Sequence, residues 1–376
     1  MLVGLMREVA SGERRVALVP AGVSALKKAK LEVIVEEGAG VESGYTDQAY
    51  RDAGAEVGKA PDILKKADLV VGIRPPSVLR PDLISIALYD PLSAPKEVPA
   101  ASGATLFSLD LIPRTTRAQA MDVLSSQSNL AGYLGVLIGS TELSKILPMM
   151  TTAAGTLPPA KVLVLGAGVA GLQAIATARR LGAVVSAYDV RSAVKEQIES
   201  LGARFVELPI DAGDSQTSGG YAKAMGEEFY ARQRQLLGDV LAEMDMVVTT
   251  ALVPGMKAPI LVTTAMAERM HSGSVIVDLA AEKGGNCELT KPGETYVHNG
   301  VKIVGPLNLA SSLCTHASLL FSKNVTTFLL NMVSKEGVFE MKMEDPIVSG
   351  SLLAKGGEVV HAQVRERLGL EVKVNE

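Results

Sequence analysis

Tryptophan is absent from the 376 residues, and the aromatic side chains together make up only 4%. So few rings cannot supply the interleaved aromatic and basic surface on which nucleic-acid bases stack. An excess of positive charge is missing as well. Thirty-seven Lys plus Arg stand against 41 Asp plus Glu, for a net charge of -4, and no basic stripe breaks the pattern, so a phosphate backbone is not the partner. Cysteine is scarce: Cys287 and Cys314 supply neither a disulfide framework nor a spaced zinc set, which points to a reducing compartment and to no resident metal. Uninterrupted apolar runs are lacking too. Residues 123–141 and 303–322 reach spanning length, but Ser, Asn and Thr interrupt both, and Pro306 and His316 also break the second. Arg7, Glu8, Glu13, Arg14 and Arg15 leave no room for the apolar segment of a secretory signal. If the protein works at a membrane, another chain is expected to anchor it.

What is present is a globular composition, 47% apolar with 36 Gly and 18 Pro, in a length that suits two or three domains. Short β-rich runs alternate with helical ones, the pattern of a parallel α/β layer. Strands are expected at residues 2–6, 32–35, 68–73, 84–89 and 105–108. A helix enters through Pro20, and another starts behind Thr46 as N-cap. Residues 114–147 read as one long helix or two joined ones, closed by Pro148, Gly155, Pro158 and Pro159. A second series follows, with strands at 161–165, 183–188, 204–206, 246–249, 274–279 and 302–304 and helices at 169–180 and 193–201. Residues 308–334 look helical and apolar, and they are expected to cross back to the first layer. The fold class is therefore α/β, two Rossmann-like doubly wound domains with a cleft between them, the first discontinuous: residues 1–124 with 308–376, and residues 125–307.

Gly166-Ala167-Gly168-Val169-Ala170-Gly171 follows the apolar run Lys161-Val-Leu-Val-Leu and opens a helix, the setting that a dinucleotide turn requires. Gly166 permits the tight turn, Gly168 lets backbone approach a pyrophosphate, and Gly171 lets helix and strand pack closely. The helix N-terminus then presents N–H groups and a positive dipole end to phosphates. Asp189 ends the next strand, 18 residues beyond Gly171. An acid there accepts from ribose hydroxyls and repels a 2′-phosphate, which favours NAD(H) over NADP(H); a hydrogen bond to a charge is worth about 1.5–3 kcal/mol, or roughly 10- to 100-fold. Arg191, two residues on, works against that preference. Residues 211–220, DAGDSQTSGG, have no periodicity and read as a mobile surface loop, with Tyr221 beside paired glycines as a lid over a ligand would have.

The stretch from Pro113 to Gln127, PRTTRAQAMDVLSSQ, is the most unusual in the chain. Gln119, Asp122 and Ser125 recur every third residue and would form a polar row on one helical face. Periodicity alone favours a solvated face, with Thr116 and Gln119 as a capping box. Position favours a role, because the row would lie between the two α/β layers, where clefts form.

That stretch, with GAGVAGLQAIATARRLGAVV, the loop ending GGYAKAMGEEF, the segment TTALVPG and the phrase SVIVDLAAEKGGNCE, resembles the NAD(H)-binding subunit of proton-translocating NAD(P) transhydrogenases. The likeness runs from the MREVASGERRVALVP opening to about residue 332. It implies that Arg114, Asp122 and Ser125 hold the nicotinamide ring and its carboxamide, and that Gln119 reaches toward a second nicotinamide. It also places Val169 and the Asp189, Val190 and Arg191 segment against the adenosine half, with Gly220 and Tyr221 on a closing loop and Gln233 and Leu252 in the nucleotide pocket. The partners implied are a membrane-embedded second portion of the alpha subunit and a beta subunit carrying NADP(H), with this chain a homodimer, peripheral on the cytoplasmic face of the membrane. Hydride passing directly between two nicotinamides moves no proton at the reacting carbons, so alignment at about 3–3.5 Å is the protein's main contribution. His271, His298, His316 and His361 agree, since none has an evident catalytic partner.

Two other readings compete. Alanine dehydrogenase shares the ERRVAL and PAGV opening, including an arginine at the position of Arg15, but needs a lysine, a histidine and an aspartate where this chain has Arg74, Asp90 and Glu282, and arginine cannot act as a base. A non-catalytic NAD-sensing module would need the glycine motif and Asp189 but has no use for Arg114, Gln119 and Asp122.

Overall fold

The computed structural model describes residues 1–209, 226–253 and 255–371. Gly220 and Tyr221, and the expected 211–220 loop with them, lie outside the described residues. The chain divides into two compact units, Met1–Gln127 with Ala310–Glu376, and Ser128–Leu309.

The first unit is built on a sheet whose strands run, from edge to edge, Glu358–Val359, Leu352–Lys355, Thr105–Ser108, Ile84–Ala87, Leu69–Val71, Leu2–Leu5, Glu32–Glu36 and Glu56–Gly58. The last six in that order are mutually parallel, while the pair near the chain's end joins Thr105–Ser108 antiparallel. In chain order the parallel strands read 3-2-1-4-5-6, the doubly wound arrangement. The parallel strands are apolar on both faces because helices cover both. Val3, Leu5, Val33, Val35, Leu69 and Val71 face one core with Phe321 and Phe328 of the Cys314–Leu330 helix, and Ile34 and Val70 face another with Ile63. Phe107 meets Phe328 edge to face at 5.9 Å. Each such fully buried side chain contributes about 1.5–3 kcal/mol relative to exposure.

The second unit repeats the scheme. Its sheet runs Arg204–Phe205, Val184–Tyr188, Lys161–Leu165, Met246–Thr249, Val275–Asp278, Val301–Val304 and Thr295–His298, with only the last strand antiparallel. Val162 and Val164 point into one core with Ala174 and Ile175 of the Val169–Arg180 helix. Leu163 and Leu165 point into the other with Leu237 and Leu241 of the Glu227–Ala242 helix. The winding reverses between Lys161–Leu165 and Met246–Thr249, and a crevice at the carboxyl ends of these strands is the usual ligand position.

Residues 114–147 differ from the expected continuous helix. A 3-10 turn covers Thr116–Met121, Asp122 is extended, and the α-helix runs Val123–Glu142. Thr116 and Gln119 form no capping box; the helix start is made by Asp122, whose carboxylate accepts from the Ser125 N–H at 2.9 Å and the Ser125 hydroxyl at 2.6 Å. The extended Asp122 breaks the run, so Gln119, Asp122 and Ser125 do not form one helical row. A hairpin of Met150–Thr152 with Gly155–Leu157, absent from the sequence expectation, has every residue exposed.

Candidate functional site

The glycine turn sits where the second sheet's winding reverses. Gly166 adopts φ +99, a left-handed conformation that favours glycine, and a Cβ on it would stand 2.7 Å from the Thr250 hydroxyl. Closer still, a Cβ on Gly171 would lie 1.8 Å from the Gly166 carbonyl oxygen, so helix and turn meet only because that carbon is missing. Gly168 is the opposite case, exposed and with nothing within 4 Å of an added Cβ. Two of the glycines are thus demanded by packing, and the middle one leaves open space at the helix start. Among the described residues no side chain caps that helix, whose N-cap is Gly168 itself, so its first N–H groups suit an anion.

Asp189 follows the adjacent strand Val184–Tyr188 and is buried. One oxygen, Oδ2, accepts from the Ala167 N–H of the turn at 2.7 Å and from Arg191 Nη2 at 2.8 Å; Oδ1 accepts from the Arg191 N–H and from Arg191 Nε, both at 2.9 Å. The acid is therefore fixed to the glycine turn. Its roughly four lone-pair sites are filled. A ribose hydroxyl reaches Asp189 by replacing a bond to Arg191, which makes Arg191 part of the selection rather than a bystander. Reciprocally, Asp189 holds the half-buried guanidinium more firmly protonated than usual.

Gln233 lies on the Glu227–Ala242 helix with 2% exposure. Its Nε2 donates to the Tyr188 hydroxyl at 2.9 Å, while its Oε1 is buried without a partner. An orphaned acceptor costs about 1–3 kcal/mol. This one, beside the strand that ends at Asp189, fits a nucleotide donor. Leu252, just beyond Met246–Thr249, is 43% exposed, an apolar side chain suited to being covered. Thr250 carries no motif, so the sequence reading missed it: its hydroxyl donates to the Gly166 carbonyl at 3.0 Å and tethers the turn to the neighbouring strand end.

Arg114, Gln119, Asp122 and Ser125 belong to the first unit. Arg114 and Gln119 are exposed, and Asp122 and Ser125 are half-buried against each other. The turn that carries them is held from below. Asn324 donates to the Ala120 carbonyl at 2.8 Å, Arg117 pairs with Asp345, and the buried Gln127 accepts from Arg15 Nη1 at 3.0 Å while donating to the Ala317 carbonyl at 3.1 Å. Exposed functional groups on a tethered turn are what a binding or transfer surface requires.

Fold and site together define a two-unit, doubly wound α/β protein with a dinucleotide-type glycine turn. Models of the two halves of one family match nearly the whole chain: "Alanine dehydrogenase/PNT, N-terminal domain" over residues 4–131 and "Alanine dehydrogenase/PNT, C-terminal domain" over residues 135–362. The chain is 46% identical to the separately encoded first portion of the NAD(P) transhydrogenase alpha subunit of Rhodospirillum rubrum, with 96% of this chain and 98% of that protein covered. A crystal structure of transhydrogenase from Sinorhizobium meliloti superposes with a TM-score of 0.83 at 45% identity, covering 96% of this chain and 99% of that one. Alanine dehydrogenase of Bacillus subtilis is 27% identical, with 99% and 96% covered. The chain belongs to the alanine dehydrogenase/PNT family, on its NAD(P) transhydrogenase alpha subunit branch.

Proposed function

We propose that this chain is the NAD(H)-binding subunit of a proton-translocating NAD(P) transhydrogenase, exchanging hydride with NADP(H) held by a partner beta subunit. The observation that carries this reading is the open Gly168 turn with Asp189 locked beside it. The orphaned Oε1 of Gln233 adds a built acceptor on the same side. Bound NADH supplies a hydride from its dihydronicotinamide ring. The chain's residues do the rest: the helix start at Val169 faces the pyrophosphate, and Asp189, Val190 and Arg191 select the adenosine ribose. Gln233 and Leu252 close the pocket, and Gly220 and Tyr221 belong to the covering loop. Arg114, Asp122 and Ser125 orient the nicotinamide, with Gln119 directed to the second ring. No group need gain or lose a proton at the reacting carbons, so the row acts by alignment.

Among the described residues no helix is long and apolar enough to cross a membrane. In this reading the second portion of the alpha subunit and the beta subunit hold the chain to the cytoplasmic face and couple it to proton passage. The hairpin at residues 150–157, with Met149, Met150 and Leu157 exposed, supports a homodimer, since an unsupported two-stranded arm gains stability from a second chain. Amino-acid oxidation is not favoured. Arg15, 6% exposed, is engaged by both oxygens of Glu13 and by Gln127, and Glu282 accepts from the Asn308 N–H. Measurable turnover of alanine with NAD would overturn that exclusion.

The test mixes the full chain with the partner's NADP(H)-binding domain and follows hydride transfer from NADH to an NADP analogue. Gln119→Ala and Asp122→Asn are expected to slow transfer at least about tenfold, the loss for one misaligned contact of about 1.4 kcal/mol. Asn at residue 122 keeps an acceptor for the Ser125 N–H, so helix capping is preserved. Unchanged rates would refute the assignment of this row.

A further inference from the structure

Behind the glycine turn lies a polar network that no ligand role yet accounts for. Asp278 ends its strand fully buried, and its two oxygens accept from five groups. Oδ1 takes the Thr249 hydroxyl at 2.8 Å and the Ala280 N–H at 3.0 Å. Oδ2 takes the Asn286 N–H at 2.7 Å, the Cys287 N–H at 3.1 Å and the Thr290 hydroxyl at 2.5 Å. Asn286, seated on that carboxylate, is also fully buried. Its side chain grips one residue on both edges: Oδ1 accepts from the Ala251 N–H at 2.9 Å, and Nδ2 donates to the Ala251 carbonyl at 2.9 Å. The second Nδ2 proton goes to the Pro259 carbonyl at 2.8 Å.

Ala251 comes two residues after the strand Met246–Thr249 ends, so no sheet ladder serves its N–H and C=O. One amide side chain replaces the missing strand. On one side of Ala251, Thr250 bonds the Gly166 carbonyl; on the other, Leu252 stands exposed. We infer that Asn286, held by Asp278, is a positioning residue of the nucleotide site. By clamping Ala251 it sets Thr250 against the left-handed Gly166 and Leu252 toward the bound nucleotide. This inference rests on the NAD(H) reading above.

The experiment compares wild type, Asn286→Ala and Thr250→Val, the last removing only the hydroxyl that reaches Gly166. NADH binding to the full chain is followed by nucleotide fluorescence, and KM and kcat are measured in the complex with its membrane partners. Asn286→Ala is expected to raise the NADH Kd and KM about tenfold or more, the loss for an unsatisfied amide pair, with kcat at saturating NADH within about twofold of wild type. Thr250→Val should raise both constants several-fold in the same sense. A merely structural role would reduce the active fraction, lowering kcat with KM unchanged, and that result would overturn the inference. Should Asn286→Ala fail to fold, Thr250→Val decides alone, and an unchanged KM sinks the proposal. Wild-type chain that binds no NADH would instead refute the NAD(H) reading, and this inference with it.

Discussion

The two sheets are wound alike, yet the crevices at their reversal points are finished in opposite ways. In the second unit the first strand ends in Gly166-Ala167-Gly168 and a helix starts at once. In the first unit the strand Leu2–Leu5 is followed by Met6, Arg7 and Glu8, and no helix begins until Pro20. Glu8 turns its carboxylate onto the Ile73 N–H at 2.6 Å and the Arg74 N–H at 3.2 Å, groups at the end of the neighbouring strand. With Arg7, Glu13, Arg14, Arg15 and Glu42 it lines a charged cavity of about 230 Å³. Winding order creates a place for a ligand; the first three residues after the strand decide whether the chain's own side chains occupy it.

The sharpest way to break that comparison is Gly171→Ala. With 1.8 Å available, helix and turn must separate, and NADH binding is expected to fall at least about 100-fold in a fluorescence titration, through loss of the aligned helix start. Next comes Arg15→Ala in the first unit, which strands the buried Glu13 carboxylate and should cost about 3–5 kcal/mol in urea unfolding. Arg15→Lys should recover only part, since one ammonium cannot serve both oxygens of Glu13 and Gln127 as the fork does.

Smaller effects come from titration. Burial outweighs the Ile73 and Arg74 N–H groups and pushes Glu8 up to about 7, with Glu13 adding to the rise and Arg15 opposing it. The folded chain then binds this proton more tightly than the unfolded one. Stability from this group is full below about 4.5 and declines as pH rises to about 7, and Glu8→Gln should flatten that slope in thermal melts. Asp345 behaves oppositely. Arg117, aided by Asn331 and the Ile347 N–H, holds it at about 2, so its contribution persists above the ordinary 3.8 and fades as pH falls toward 2. Because Arg117 is exposed, Arg117→Ala should cost no more than about 1 kcal/mol, the smallest effect of the set.

Legibility followed burial. The central strands Lys161–Leu165, Met246–Thr249 and Thr105–Ser108 appear at the residues expected from their apolar runs. Missed strands lie at edges: Glu56–Gly58, Thr295–His298, and the pair Leu352–Lys355 and Glu358–Val359. An edge strand needs an apolar pattern on fewer positions, and its neighbour supplies what fixes it, as Thr105–Ser108 does for Leu352–Lys355. In the 114–147 stretch the spacing of three between Gln119, Asp122 and Ser125 suited a helical row. It arose instead from a 3-10 turn followed by a cap, two local structures that share that spacing.

What the chain determined by itself is local. Glycines with no Cβ where 1.8 Å is available, apolar runs long enough to cross a sheet, and Asp122 three residues before Ser125 act through neighbours in sequence, so a reader of the sequence meets the cause and the effect together. The tertiary structure decided the rest: that Asn324 supports Ala120, that Arg15 is spent on Glu13 and Gln127, and that Asn286 stands in for a strand beside Ala251. The bonds to Ala251, Gln127 and Ala120 join residues 35 to 204 positions apart. Each forms because a buried donor or acceptor must find a partner once water is excluded, and which partner is near is settled only when the sheets have packed.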